Sequence, residues 1–132
     1  AELGLTEILY RENIGFMAYS PLAFGHLTGK YILDKSTKGR VTLFEGYAQR
    51  YNKPGVFNAA EKYMRLAEEF NITPTEMALS FVYHQWFVTS TVVGATSINQ
   101  LKQNLEAYQI KLPSELIERI DMTHLSCMNP AP

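Results

Sequence analysis

Cysteine is nearly absent. Cys127 stands alone among 132 residues, which excludes an intramolecular disulfide and any multi-cysteine zinc site, and fits a reducing compartment. Long apolar runs are missing too: none approaches the roughly 20 residues a membrane-spanning helix needs. No signal peptide is visible. The first residues, Ala1-Glu2-Leu3, lack an initiator Met, so the start reads as a cut inside something longer. Nor does one sign of charge prevail, since 12 Lys and Arg face 13 Asp and Glu for a net charge of −1. That balance argues against a wholesale binder of nucleic acid or anionic membrane. What is present can build a core: 46% of residues are hydrophobic and 19% charged, unlike a disordered segment. The length suits one domain. These features together predict a cytoplasmic, globular piece.

The net charge hides an asymmetry. Lys30, Lys35, Lys38, Arg40, Arg50 and Lys53 are opposed only by Asp34 and Glu45, giving this segment about +4 and the remainder about −5. The segment is rich in glycine and tyrosine and shows no apolar period. It reads as a long surface loop, either functional or simply a solvated basic face.

Around it, helix and strand signals alternate. Leu5, Ile8 and Leu9 suggest the end of a helix stopped by Gly15. Phe16-Met17-Ala18-Tyr19 is a short apolar run halted by Ser20-Pro21, as in a buried strand. A helix over about residues 58–70 aligns Ala60, Tyr63, Met64, Ala67 and Phe70 on one face. Thr73, Pro74 and Glu76 form a capping box with proline at the first helical position, ahead of a buried stripe of Met77, Ala78, Phe81 and Val82. Thr91-Val92-Val93 ends at Gly94 and reads as a second buried strand. Ser97 and Gln100 make a second capping box, for a helix that buries Ile98, Leu101 and Leu105 and runs to about Ala107. Pro113-Ser114 opens a last helix through Leu116, Ile117 and Ile120. The alternation predicts an α/β architecture with a parallel sheet.

Two strand ends lead into turns rich in backbone donors. The first covers residues 19–30, with Gly25, Gly29, several hydroxyls and Lys30. It is not a Walker-type loop: only three residues separate the glycines, and Tyr31 stands where a Ser or Thr would hold magnesium. The second is Gly94-Ala95-Thr96-Ser97, feeding a helix whose N-terminus favours phosphate or is simply capped. Basic and helix-terminal turns after successive strands form the usual phosphate site of an eight-stranded α/β barrel, after its last two strands.

At this point a family resemblance emerges. Tyr19-Ser20-Pro21-Leu22-Ala23-x-Gly25-x-Leu27-Thr28-Gly29-Lys30-Tyr31, followed by Gly94-Ala95-Thr96-Ser97-x-x-Gln100-Leu101-x-x-Asn104, resembles the carboxyl-terminal part of aldo-keto reductases. Arg40-Val41-Thr42-Leu43-Phe44 and Pro130-Ala131-Pro132 draw it toward the bacterial Tas-type branch. The resemblance covers essentially the whole chain. It implies one incomplete domain over residues 1–132: strands 7 and 8 of a (β/α)8 TIM barrel with their helices. It also implies an oxidoreductase that moves hydride between NADP and a small-molecule carbonyl substrate. Tyr19 would stack on the nicotinamide, and Ser20, Leu22 and Gly25 would border the pyrophosphate. Lys30 and Arg40 would lie near the phosphates. Gly94, Ala95, Thr96 and Ser97 would hold the adenosine phosphate end, with Gln100 and Asn104 at the adenine side.

Two departures accompany the match. Family members often carry an acid just before the last Asn, where this chain has Gln103. The family's catalytic Asp, Tyr, Lys and His come from the first four strands, which precede this chain, so no catalytic residue is assigned here. His84 reads as structural, His26 as a loop residue able to approach a ligand, and His124 and Cys127 as surface or packing residues. No ligand-type residues have metal spacing. The segment is thus expected to supply cofactor binding without the proton chemistry, and to associate with itself or with a missing barrel half. Other readings stay open: a non-catalytic nucleotide- or partner-binding module, as in the related potassium-channel β subunits, or an inactive truncated remnant.

Overall fold

A computed structural model describes residues 4–44 and 46–131. Two of its helices, Pro74–Tyr83 and Ile98–Glu106, begin at side-chain caps that satisfy free backbone donors. Helix α1 (Leu5–Arg11) ends with Glu12 as its cap, ahead of the expected Gly15, and leads to strand β1 (Phe16–Tyr19). A tight 3₁₀ turn, Ala23–Thr28, follows, then α2 (Lys30–Leu33), α3 (Arg40–Leu43) and a second such turn, Gln49–Tyr51. Helix α4 (Pro54–Glu69) starts at Pro54, earlier than the expected residue 58, because proline's fixed φ suits the first helical turn.

Helix α5 (Pro74–Tyr83) is capped as expected. Thr73 Oγ1 accepts from the Glu76 N–H at 3.2 Å, and Glu76 Oε2 accepts from the Thr73 N–H at 2.8 Å. Strand β2 (Val88–Val92) precedes α6 (Ile98–Glu106), a 3₁₀ turn at Ala107–Gln109, and α7 (Ser114–Ser126).

The hydrophobic core lies among helices rather than on the sheet. Leu66 and Ala67 of α4, Met77 of α5, and Leu116 and Ile120 of α7 are buried together. Phe70, Phe81 and Leu112 pack around them. Arg119 and Glu69 join α7 to α4 at 2.5 Å, and the Arg119 guanidinium lies over the Phe70 ring.

The structure corrects three expectations. The basic segment is not one long loop. It folds into α2, α3 and a 3₁₀ turn because Tyr31, Val41 and Tyr51 bury themselves at wide spacing, which leaves no helical period to read. The strands are not buried on both faces. Only β1 and β2 pair among the described residues, and Met17 and Tyr19 remain 64% and 68% exposed. Helix α6 does not bury its apolar stripe. Ile98 is 84% and Leu105 62% exposed, Leu101 is exposed as well, and the helix turns Asn104 inward instead. No described element covers that stripe.

Candidate functional site

Strands β1 and β2 are parallel, with Met17, Ala18 and Tyr19 opposite Ser90, Thr91 and Val92. A bulge sits between Phe16 and Met17, where the Phe16 N–H donates to Thr89 Oγ1 at 3.1 Å. Parallel pairing sends both carboxyl ends to the same edge. Both expected phosphate turns therefore leave the sheet side by side.

The first turn is strained. Ser20, Ala23 and Phe24 have φ of 55°, 47° and 56°, and Gly25 has 94°. Left-handed non-glycine residues cost on the order of 1–3 kcal/mol each, so packing must hold the turn. Aromatic rings do this. Phe24 meets Tyr47 and Tyr51 at centroid distances of 5.6 and 5.3 Å. His26 stacks on Tyr51 at 5.4 Å with planes 16° apart, and Phe57 meets its edge at 5.5 Å.

His26 is 3% exposed, and neither ring nitrogen has a hydrogen-bond partner. Desolvation, and then the Lys30 charge, lower its pKa. The sequence left His26 able to approach a ligand, and the structure encloses it in rings. Lys30 lies half-buried, its ammonium 4.8 Å from the Tyr31 ring centre. Gly25 makes room for it: a Cβ there would fall 2.8 Å from Lys30 Cε. Ser20 and Leu22 are half-buried, Tyr19 is open to solvent, and Arg40 is exposed beside a hollow lined by Phe44, Gly46 and Tyr47.

In the second turn Gly94, Ala95, Thr96 and Ser97 are all exposed. Ser97 Oγ accepts from the Gln100 N–H at 3.2 Å, as a cap should. The reciprocal half of the expected box is absent. Gln100 Oε1 reaches one residue further and accepts from the Thr96 N–H at 2.8 Å and its hydroxyl at 3.0 Å. Asn104 is buried, and its amide donates to the Gly94 carbonyl at 3.3 Å, so here it braces the turn.

Sequence reasoning passed over Arg50. Its guanidinium donates to the Tyr51 hydroxyl at 3.2 Å and lies against Tyr19. Hydrogen bonding to Tyr19 and then to Tyr51 raises its pKa. The only sequence signal was its place in the basic segment.

The remaining reactive side chains have local roles. His84 Nδ1 donates to the Ser80 carbonyl at 2.9 Å, which fixes the Nδ1–H tautomer, and its ring stacks on Tyr108. The Cys127 thiol donates to the Thr123 carbonyl at 3.0 Å. Among the described residues no three His, Cys, Asp or Glu side chains are grouped for a metal, and no helix is long and apolar enough to cross a membrane.

The sequence profile of the Aldo/keto reductase family matches residues 1–124. Protein tas of Escherichia coli K12 is 39% identical over 99% of this chain, which spans 38% of that protein. An aldo-keto reductase of Babesia bovis is 34% identical over 98% of this chain, which spans 48% of it. The chain thus covers less than half of these relatives. A glycerol dehydrogenase from Gluconobacter oxydans superposes on 97% of this chain with a TM-score of 0.72. At 21% identity and 39% of its own length, that likeness is one of α/β fold alone. Profile, relatives and fold agree: the chain belongs to the aldo/keto reductase family.

Proposed function

We propose that residues 1–132 form strands 7 and 8 of a (β/α)8 barrel with their helices. In that barrel they supply the dinucleotide phosphate site of an NADP-dependent oxidoreductase acting on small carbonyl compounds. The observation that carries this reading is the parallel register, which brings the ends of β1 and β2, and so the starts of both turns, to one edge of the sheet. The residues suit a phosphate. A Cβ on Gly94 would meet nothing within 4 Å, so the turn leaves open space for an approaching group. The exposed N-terminus of α6 offers unpaired N–H donors and the positive end of its dipole.

In this reading Gly94 to Ser97 and Lys30 hold phosphates, Arg40 extends the positive surface, and Tyr19 offers a ring to the nicotinamide. Ser20, Leu22 and Gly25 border the pyrophosphate. Gln100 releases the Thr96 donors as the ligand arrives, and Asn104 keeps Gly94 in place. When bound, the nicotinamide supplies the hydride for carbonyl reduction. The share of this chain is tight, oriented binding. Proton transfer falls to the rest of the barrel. The partner is that missing barrel half or, failing it, a second copy of the chain.

A single substitution tests the site. Gly94→Phe, whose Cβ would meet nothing within 4 Å, should weaken NADPH binding at least tenfold, about 1.4 kcal/mol, in a fluorescence titration. Unchanged affinity removes residues 94–97 from the site.

A further inference from the structure

Gly39 has φ −161° and ψ 177°, an extended backbone open to any residue. Conformational freedom therefore does not explain a glycine here; the space around it does. A Cβ on Gly39 would collide with the Tyr31 hydroxyl and fall 3.0 Å from Lys30 Nζ. Likewise, a Cβ on Gly25 would stand 2.8 Å from Lys30 Cε and 3.2 Å from Nζ. The end of the Lys30 side chain thus lies against two glycines, both of which would crowd it with a Cβ, and its ammonium sits over the Tyr31 ring.

The walls of this slot are held. Tyr31 is buried. The Gly39 N–H donates to Thr42 Oγ1 at 2.8 Å, which fixes the backbone at the start of α3. Among the described residues no carboxylate pairs with Lys30. A lysine normally loses much rotamer freedom when it binds an anion. A lysine already confined in a slot has less to lose.

We infer that Gly39 is a positioning residue: with Gly25 it forms a slot that fixes the Lys30 ammonium for a phosphate-bearing nucleotide. The inference rests on the reading of Lys30 as a phosphate contact, and its tests separate the two. Two readouts serve: NADPH affinity of the chain, and the rate at which Lys30 is acetylated, followed by peptide mass spectrometry.

Lys30→Ala should weaken NADPH binding about tenfold, the scale of one charge-assisted hydrogen bond. Gly39→Ala should weaken it comparably and speed acetylation of Lys30 as the ammonium leaves the slot. Because both act through one group, the double variant should bind no worse than Lys30→Ala alone. Adding Tyr31→Phe to Gly39→Ala removes the hydroxyl in the way and should restore part of the affinity. Lys30→Arg, which leaves Gly39 itself unaltered, keeps the charge but overfills the slot and should also bind weakly.

Wild-type affinity and acetylation in Gly39→Ala, or wild-type affinity in Lys30→Arg, overturns the slot while leaving Lys30 a phosphate contact. Lys30→Ala that binds NADPH as tightly as the unaltered chain overturns the phosphate reading, and the slot's purpose with it.

Discussion

His26 is buried, and its protonation ties stability to pH. The groups facing it are Lys30, Tyr31 and Tyr51, none of them a carboxylate able to welcome a proton. Its folded pKa lies below the ordinary 6.5, so below that pH the unfolded chain takes up a proton that the folded chain refuses. Stability then falls with pH until the folded pKa is reached. Melting temperatures between pH 7.5 and 5 should decline in the unaltered chain and decline less in His26→Phe, whose ring fits the same aromatic enclosure. Equal slopes would mean that other groups govern the acid response. At this scale the candidate site was partly legible. Gly25, Gly94, Ser97 and Lys30 could be picked out as candidates because phosphate turns favour glycine, hydroxyl and cation at strand ends. The bracing by Asn104 and the placement of Arg50 could not, because they depend on chain crossings: the Asn104 amide on the Gly94 carbonyl, the Arg50 guanidinium on Tyr19.

Among the elements, the two capped helices make a natural pair for comparison. Thr73 and Glu76 complete both halves of their box, whereas Ser97 and Gln100 complete one. Thr73→Ala should lower unfolding free energy by about 1 kcal/mol, and Ser97→Ala by less, because Gln100 still braces the turn through Thr96. Urea titrations of the two variants decide this, and a larger loss at Ser97 would contradict it. The starts of α5 and α6 were legible because capping is local chemistry, complete within four residues. The burial of α6 was not, since the apolar spacing of Ile98, Leu101 and Leu105 says that a face wants covering and not whether anything covers it. The folded segment between Lys30 and Lys53 escaped notice for the opposite reason: its anchors Tyr31, Val41 and Tyr51 are too sparse to make a pattern.

For the molecule as a whole, the open surfaces decide behaviour. A complete (β/α)8 barrel takes about 250 residues. Here the two paired strands leave free edges, and Met17, Tyr19, Val92 and the α6 stripe face solvent. Such edges and apolar patches invite association. Sedimentation at low micromolar concentration should show the isolated chain self-associated, and an NADPH-consumption assay with simple aldehydes should show no turnover. A compact monomer with a cooperative melt would mean that the α4, α5 and α7 core suffices, and turnover would place a proton donor within this chain. That core has a consequence for motion. The parts that hold the chain together are helical and sequestered, while β1, β2 and the exposed turn over residues 94–97 lie outside that core. Local openings follow local burial, so the amide hydrogens of β1, β2 and residues 94–97 should exchange with solvent on a faster clock than those of α4 and α7. A nucleotide seated on residues 94–97, as proposed, would slow that clock, and exchange timing would become a record of occupancy, amide by amide.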